Sequence, residues 1–169
     1  MSGMLGDLAR AIAKSSLHDH VLHWLRDVPG LPPMVQTVHI LSVAIIMGSI
    51  VMIDLRVLGV AAPSQNPNEM IRRLLPWMWT ALALLFLSGS MFVVTRPARY
   101  FANPIFGIKF ALLLSALALS VVLVRLLRNS SQTHAGAKVV AALSMLLWIG
   151  VMFAGRWIAY ADYIFPPPD

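Results

Sequence analysis

The sequence contains no cysteine, which excludes disulfides, iron–sulfur clusters, thiolate zinc sites and covalent c-type haem attachment. Charge is scarce too: only 12% of the 169 residues are Asp, Glu, Lys or Arg, where soluble domains carry about a quarter. Acidic residues number just 7 against 13 Lys and Arg. This composition excludes a disordered chain, a nucleic-acid-binding domain and an ordinary cytosolic enzyme. The N-terminal residues, MSGMLGDLARAIAKSS, lack the continuous apolar stretch of a signal peptide.

Apolar residues are abundant. They make up 59% of the chain, with a mean hydropathy of +0.77, and they gather in four long runs. Each run approaches the ~20 residues that a helix needs to cross a bilayer. The expected fold is all-α: a four-helix transmembrane bundle preceded by an amphipathic helix on the membrane surface, in one integral membrane domain covering residues 1–169. The surface helix is expected over 1–28, where Leu5, Leu8 and Ile12 recur at helical spacing with Arg10 and Lys14 on another face. Pro29, Gly30, Pro32 and Pro33 break the chain. The spans are expected at about 35–58, 76–94, 105–127 and 139–159, with Trp77 and Trp79 anchoring the opening of the second.

Four spans place both ends of the chain at one end of the bundle, here termed the near end. Arg56, Arg72, Arg73, Arg125, Arg128 and Lys138 lie toward the far end. Short-loop positive charge favours the cytoplasm. The expected setting is therefore a bacterial inner membrane with periplasmic termini. The net charge of +6 then reflects topology and anionic lipid, with no nucleic-acid partner.

An ionisable side chain inside a span is costly and marks a functional hypothesis. His39, Lys109 and Arg156 each fall about one turn, ~5 Å, inside the near ends of the first, third and fourth spans. Met91 and Met152 lie near the same level. One imidazole with soft thioethers suits haem iron or copper, and two cations suit the haem propionates. In that reading His39 ligates the metal, with His23 or a Met opposite. Lys109 and Arg156 hold carboxylates, assisted by Arg96, Arg99 and Tyr100 in the adjoining loop. A quinone is the alternative occupant, with His39 exchanging protons. The plainer account has His39 bonding a neighbouring helix, the cations snorkelling to the interface and the methionines filling space. His18, His20 and His23 share the surface segment, and His134 lies in a far loop. Asp54, near the far end of the first span, is expected to pair with Arg125 or Arg128, with a proton-path carboxylate as the alternative.

The runs VHILSVAIIMGSIVMIDLRVLG, RRLLPWMW, ANPIFGIKF and GRWIAYAD resemble an uncharacterised bacterial family of small four-helix membrane proteins. A first span opening on His and a third opening on Lys is more distantly similar to the copper-resistance D family and to the HemJ-type, haem-associated protoporphyrinogen oxidases. That likeness implies functional roles for His39 and Lys109. The leading expectation is a haem b-binding protein of membrane electron transfer, served by a quinone or a periplasmic redox partner. A copper-binding or copper-transport protein and a non-catalytic accessory subunit are the alternatives, and a homo-oligomer suits either.

Overall fold

The computed structural model describes residues 3–128 and 134–160, excluding the side chain of Ala159. The described residues form seven helices and no strand: α1 (Met4–Ala13), α2 (Ser16–Asp27), α3 (Leu31–Leu58), α4 (Pro67–Thr95), α5 (Pro97–Phe101), α6 (Pro104–Arg128) and α7 (Ala135–Ala159). α3, α4, α6 and α7 are long and apolar enough to cross a membrane. The protein is a multi-pass membrane bundle.

Local chemistry sets the helix ends. Gly30, at φ 85°, turns the chain into α3, and Pro32 and Pro33 fill its first turn, where a missing N–H costs nothing. Gly59, at φ 82°, closes the same helix. The amides of Gly59 and Val60 reach back to the carbonyls of Arg56 and Leu55, a left-handed stop that favours glycine. Asn66 caps α4 through its side chain, with Pro67 beginning the helix. The Asn68 side-chain amide then donates to the Leu127 carbonyl at 3.0 Å, satisfying a C-terminal carbonyl of α6 that has no partner within its own helix.

Several boundaries differ from the sequence expectation. The first segment is two helices, because Ser15 leaves the helical conformation and its hydroxyl caps α2. α3 begins four residues before the expected 35, and α4 nine before the expected 76. Pro76 lies inside α4; membrane helices tolerate such a proline because neighbouring groups can re-satisfy the freed backbone. Trp77 and Trp79 consequently sit about 15 Å along α4 from its start and face outward, each 64% exposed. α5, a single turn, occupies what the sequence suggested was a plain loop.

The spans pack most extensively as α3 with α4 and α6 with α7, joined through α3 against α7. The far-end core combines Ile53 and Val57, Met70 and Ile71, Leu123 and Leu127, and Ala137 and Ala141 from all four spans. The central core gathers Ile46, Ile50, Ala81, Ala116, Trp148 and Val151. The buried cluster at the near end is smaller. Ile105, Ala154 and Ile158 form it, with Tyr100, Phe106 and Leu112 against them, and α3 and α4 contribute nothing to it. Above this end α1 packs on α5, burying Gly6, Ala9 and Pro97. The His18 ring ties α2 to α4, its Nδ1 bonding the Val94 carbonyl at 2.7 Å. Large apolar side chains such as Phe86, 75% exposed, cover the outer surface, as hydrocarbon surroundings allow.

Candidate functional site

Where the near-end core thins, α3 and α4 present polar groups instead. His39 lies eight residues into α3 and Ser88 seven residues before the end of α4. Both are therefore about 10–12 Å deep by helix rise. His39 Nδ1 meets Ser88 Oγ at 2.9 Å. The Ser88 hydroxyl proton is committed to the Leu84 carbonyl at 2.7 Å, so the serine oxygen accepts and the imidazole Nδ1–H donates. In the neutral ring this fixes the tautomer and leaves the Nε2 lone pair free; Nε2 has no hydrogen-bond partner among the described residues. The ring also packs edge-on against Phe92, with centroids 5.4 Å apart. Gly89 lies beneath it: a Cβ there would stand 3.5 Å from His39 Cε1, at ordinary contact.

Lys109 comes from the opposite helix pair, five residues into α6. It is half-buried, and its ammonium rests on Gly155 of α7, where a Cβ would stand 3.5 Å from Nζ. Lys109 interacts electrostatically with His39, although no carboxylate pairs with it among the described residues. An inward ammonium without a counter-ion is unusual in a membrane bundle. It is electrostatically suited to an anionic or carboxylate-bearing ligand.

The other expected contributors lie elsewhere. Arg156 is exposed; it donates to the Tyr160 hydroxyl at 2.8 Å and stacks over that ring. Met152 is 47% exposed on the outer surface. His23 is paired with Asp27 and its side chain is 74% exposed, so it does not come opposite His39. His20 bonds the Ser16 carbonyl of its own helix, and His134 precedes α7 at the far end. Arg156 and Met152 fail for one reason: they have the right depth and the wrong helix face. Met91 is half-buried, three residues beyond Ser88 on α4. Arg96 is exposed, whereas Arg99 and Tyr100 are half-buried on α5. Burial raises the Tyr100 phenol above its ordinary value of 10.0, against the opposing pull of Arg99 and Arg96. Asn103 supports this corner, its side-chain oxygen accepting from the Ile105 amide at 2.9 Å.

The expected ion pair of Asp54 with Arg125 or Arg128 is not formed. Both arginines are exposed, whereas Asp54 is 1% exposed and faces Ser144 of α7. The arginines share its depth on a face turned outward.

Ser88, Gly89 and Phe92 are the site residues that sequence reasoning did not assign. Ser88 and Gly89 read as small packing residues, and the only signal for more was that Ser88 falls at the depth of His39. A family of unknown function, DUF6644, matches residues 31–161. The chain belongs to that family. The DUF6644 region takes in α3 to α7, and with them His39, Ser88 and Lys109, while α1 and α2 precede it. No curated protein and no solved structure matches the chain.

The residues present fit a haem in part. His39 supplies one nitrogen ligand whose other ring nitrogen is already anchored, the arrangement seen behind metal-bound imidazoles generally. Lys109 supplies one cation with no carboxylate partner among the described residues. His23, Met152 and Arg156 add nothing to this set.

Proposed function

We propose that this DUF6644 protein binds haem b at the near end of its bundle and serves electron transfer in the bacterial inner membrane. The observation that carries the reading is His39: Nδ1 held by Ser88, Nε2 without a partner among the described residues, and Lys109 in electrostatic reach. His39 would ligate the haem iron and Lys109 would hold a propionate, with Arg96 and Arg99 toward the surface. When bound, haem supplies one-electron exchange between its ferric and ferrous forms. The chain's own part is to fix the imidazole tautomer, to balance a carboxylate in an apolar setting and to exclude bulk water. The distant likeness to the copper-resistance D and HemJ-type families, resting on His39 and Lys109, supports a redox or metal role. The weight of Arg56, Arg72, Arg73, Arg125, Arg128 and Lys138 at the far end supports a cytoplasmic far face and periplasmic termini. The redox partner would then be a quinone or a periplasmic protein.

Copper is the second reading, favoured by Met91 standing half-buried one turn from Ser88. Haem titrated into detergent-purified protein tests the first. The expected result is saturation with a sharp Soret band that His39→Ala abolishes. Failure of haem to bind, with stoichiometric copper retained instead, replaces haem by the copper site.

A further inference from the structure

A second buried polar group lies at the opposite end of α3. Asp54 is 1% exposed, and so is Ser144, which faces it from α7. The Ser144 hydroxyl is the hydrogen-bonding neighbour of Asp54, and no other group reaches Asp54 Oδ2 or Ser144 Oγ among the described residues. A fully buried carboxyl whose one polar neighbour is a hydroxyl calls for a physical reason. Asp54 also lines a cavity of about 30 Å³, together with Ser120. Its walls expose only apolar surface, so it is a dry packing gap beside the carboxyl. Ser120 is itself oriented, accepting from the Trp148 indole N–H at 3.1 Å and donating to the Ala116 carbonyl at 2.9 Å. Asp54 is four residues from the end of α3, about 6 Å from the far face by helix rise.

We propose that Asp54, backed by Ser144, forms an intramembrane proton-binding site toward the far end of the bundle. The groups that face Asp54 decide this reading. α4 contributes Ile71, Leu75 and Met78, α6 contributes Ser120, Leu123 and Val124, and α7 contributes Ser144. None is titratable, and no ion pair reaches Asp54 among the described residues. An ionised carboxylate without a cation is too costly in such surroundings, so these surroundings favour the carboxylic acid. A metal cation does not suit the site. Hard cations seek about six oxygen ligands, and here one carboxyl and two hydroxyls stand among hydrocarbon. A proton requires only the carboxyl. This site is about 22 Å along α3 from His39 by helix rise and does not depend on the cofactor reading.

Dicyclohexylcarbodiimide tests the proposal on the full chain in detergent without added haem. A carboxylic acid in apolar surroundings adds its O–H across the carbodiimide C=N, and the resulting O-acylisourea rearranges to a stable N-acylurea with no leaving group. Peptide mass spectrometry is expected to find the adduct at Asp54 and none at the exposed Asp7, Asp19, Asp27 and Glu69. The yield is expected to fall as the pH of the medium rises, and Asp54→Asn to remove the adduct. The wild-type measurement is site-resolved, so the test holds even if that variant folds poorly. No adduct at Asp54 at any pH, or a yield independent of pH, would overturn the proposal. Protection by sodium at constant pH would overturn it in favour of a cation site.

Discussion

Replacing Ser88 with Ala isolates the hydrogen bond on which the His39 geometry rests. The change removes one oxygen at a position only 4% exposed and leaves Gly89 and Phe92 in place. The Leu84 carbonyl keeps its ordinary helix partner, the Ser88 amide four residues on, so the substitution orphans only the His39 Nδ1–H. Side-chain hydrogen bonds inside membrane bundles average about 0.6 kcal/mol, with a maximum near 1.7. An unpaired buried donor costs about 1–3 kcal/mol. The combined effect on the imidazole is therefore about 1–1.5 kcal/mol, a shift of roughly five- to tenfold in tautomer ratio. Nitrogen-15 NMR of ring-labelled histidine reads that ratio directly. The wild-type His39 signal is expected to show Nδ1–H, and Ser88→Ala is expected to move the population toward Nε2–H. A wild-type ring protonated at Nε2, or a tautomer unaffected by Ser88→Ala, would refute the assigned direction of the bond and with it the free ligand nitrogen.

Other expectations follow from the same contacts. Lys109→Met removes the half-buried ammonium while keeping its apolar stem; bundle stability should hold or rise, and haem affinity should fall about tenfold, ~1.4 kcal/mol. Haem dimethyl ester, which lacks the propionate charge, should bind wild type and variant alike; an ester that still distinguishes them would remove Lys109 from the propionate role. Asn103→Ala deletes the side-chain cap on the Ile105 amide and should lower stability by about 1 kcal/mol, read by thermal unfolding in detergent; an unchanged midpoint would mean the cap contributes nothing. Because burial raises the Tyr100 phenol, its contribution to stability is full below pH 10 or so and is lost as pH rises through the raised value. Melting temperatures measured across that range should fall in wild type and fall less in Tyr100→Phe, whereas parallel curves would contradict the assignment.

Hydropathy made the four spans legible because a bilayer demands long apolar runs with few charges, and α3, α4, α6 and α7 supply them. Helix ends were less legible. Pro67 and Pro32 sit where a first-turn proline is favourable, while Pro76 looks identical in sequence and lies mid-helix. Depth could be read by counting residues, which puts His39 and Lys109 toward the same end of the bundle. Rotation about the helix axis could not. Lipid is as apolar as the bundle interior, so the outer and inner faces of α7 carry similar residues, and nothing in the pattern shows that Met152 and Arg156 turn outward while Gly155 turns in. Asp54 illustrates the same limit: Arg125 and Arg128 match its depth, yet the facing residue is Ser144. Ser88 was hidden by its chemistry, since a small hydroxyl residue serves packing and hydrogen bonding equally well.

The visible absorption spectrum of the detergent-purified protein, oxidised and then reduced, tests the cofactor reading most directly. The account predicts a Soret band and reduced α and β bands of a b-type haem, present in wild type, weakened in Lys109→Met and absent in His39→Ala. A colourless wild-type protein that stays colourless after haem is supplied, or a haem spectrum indifferent to His39→Ala, would contradict it.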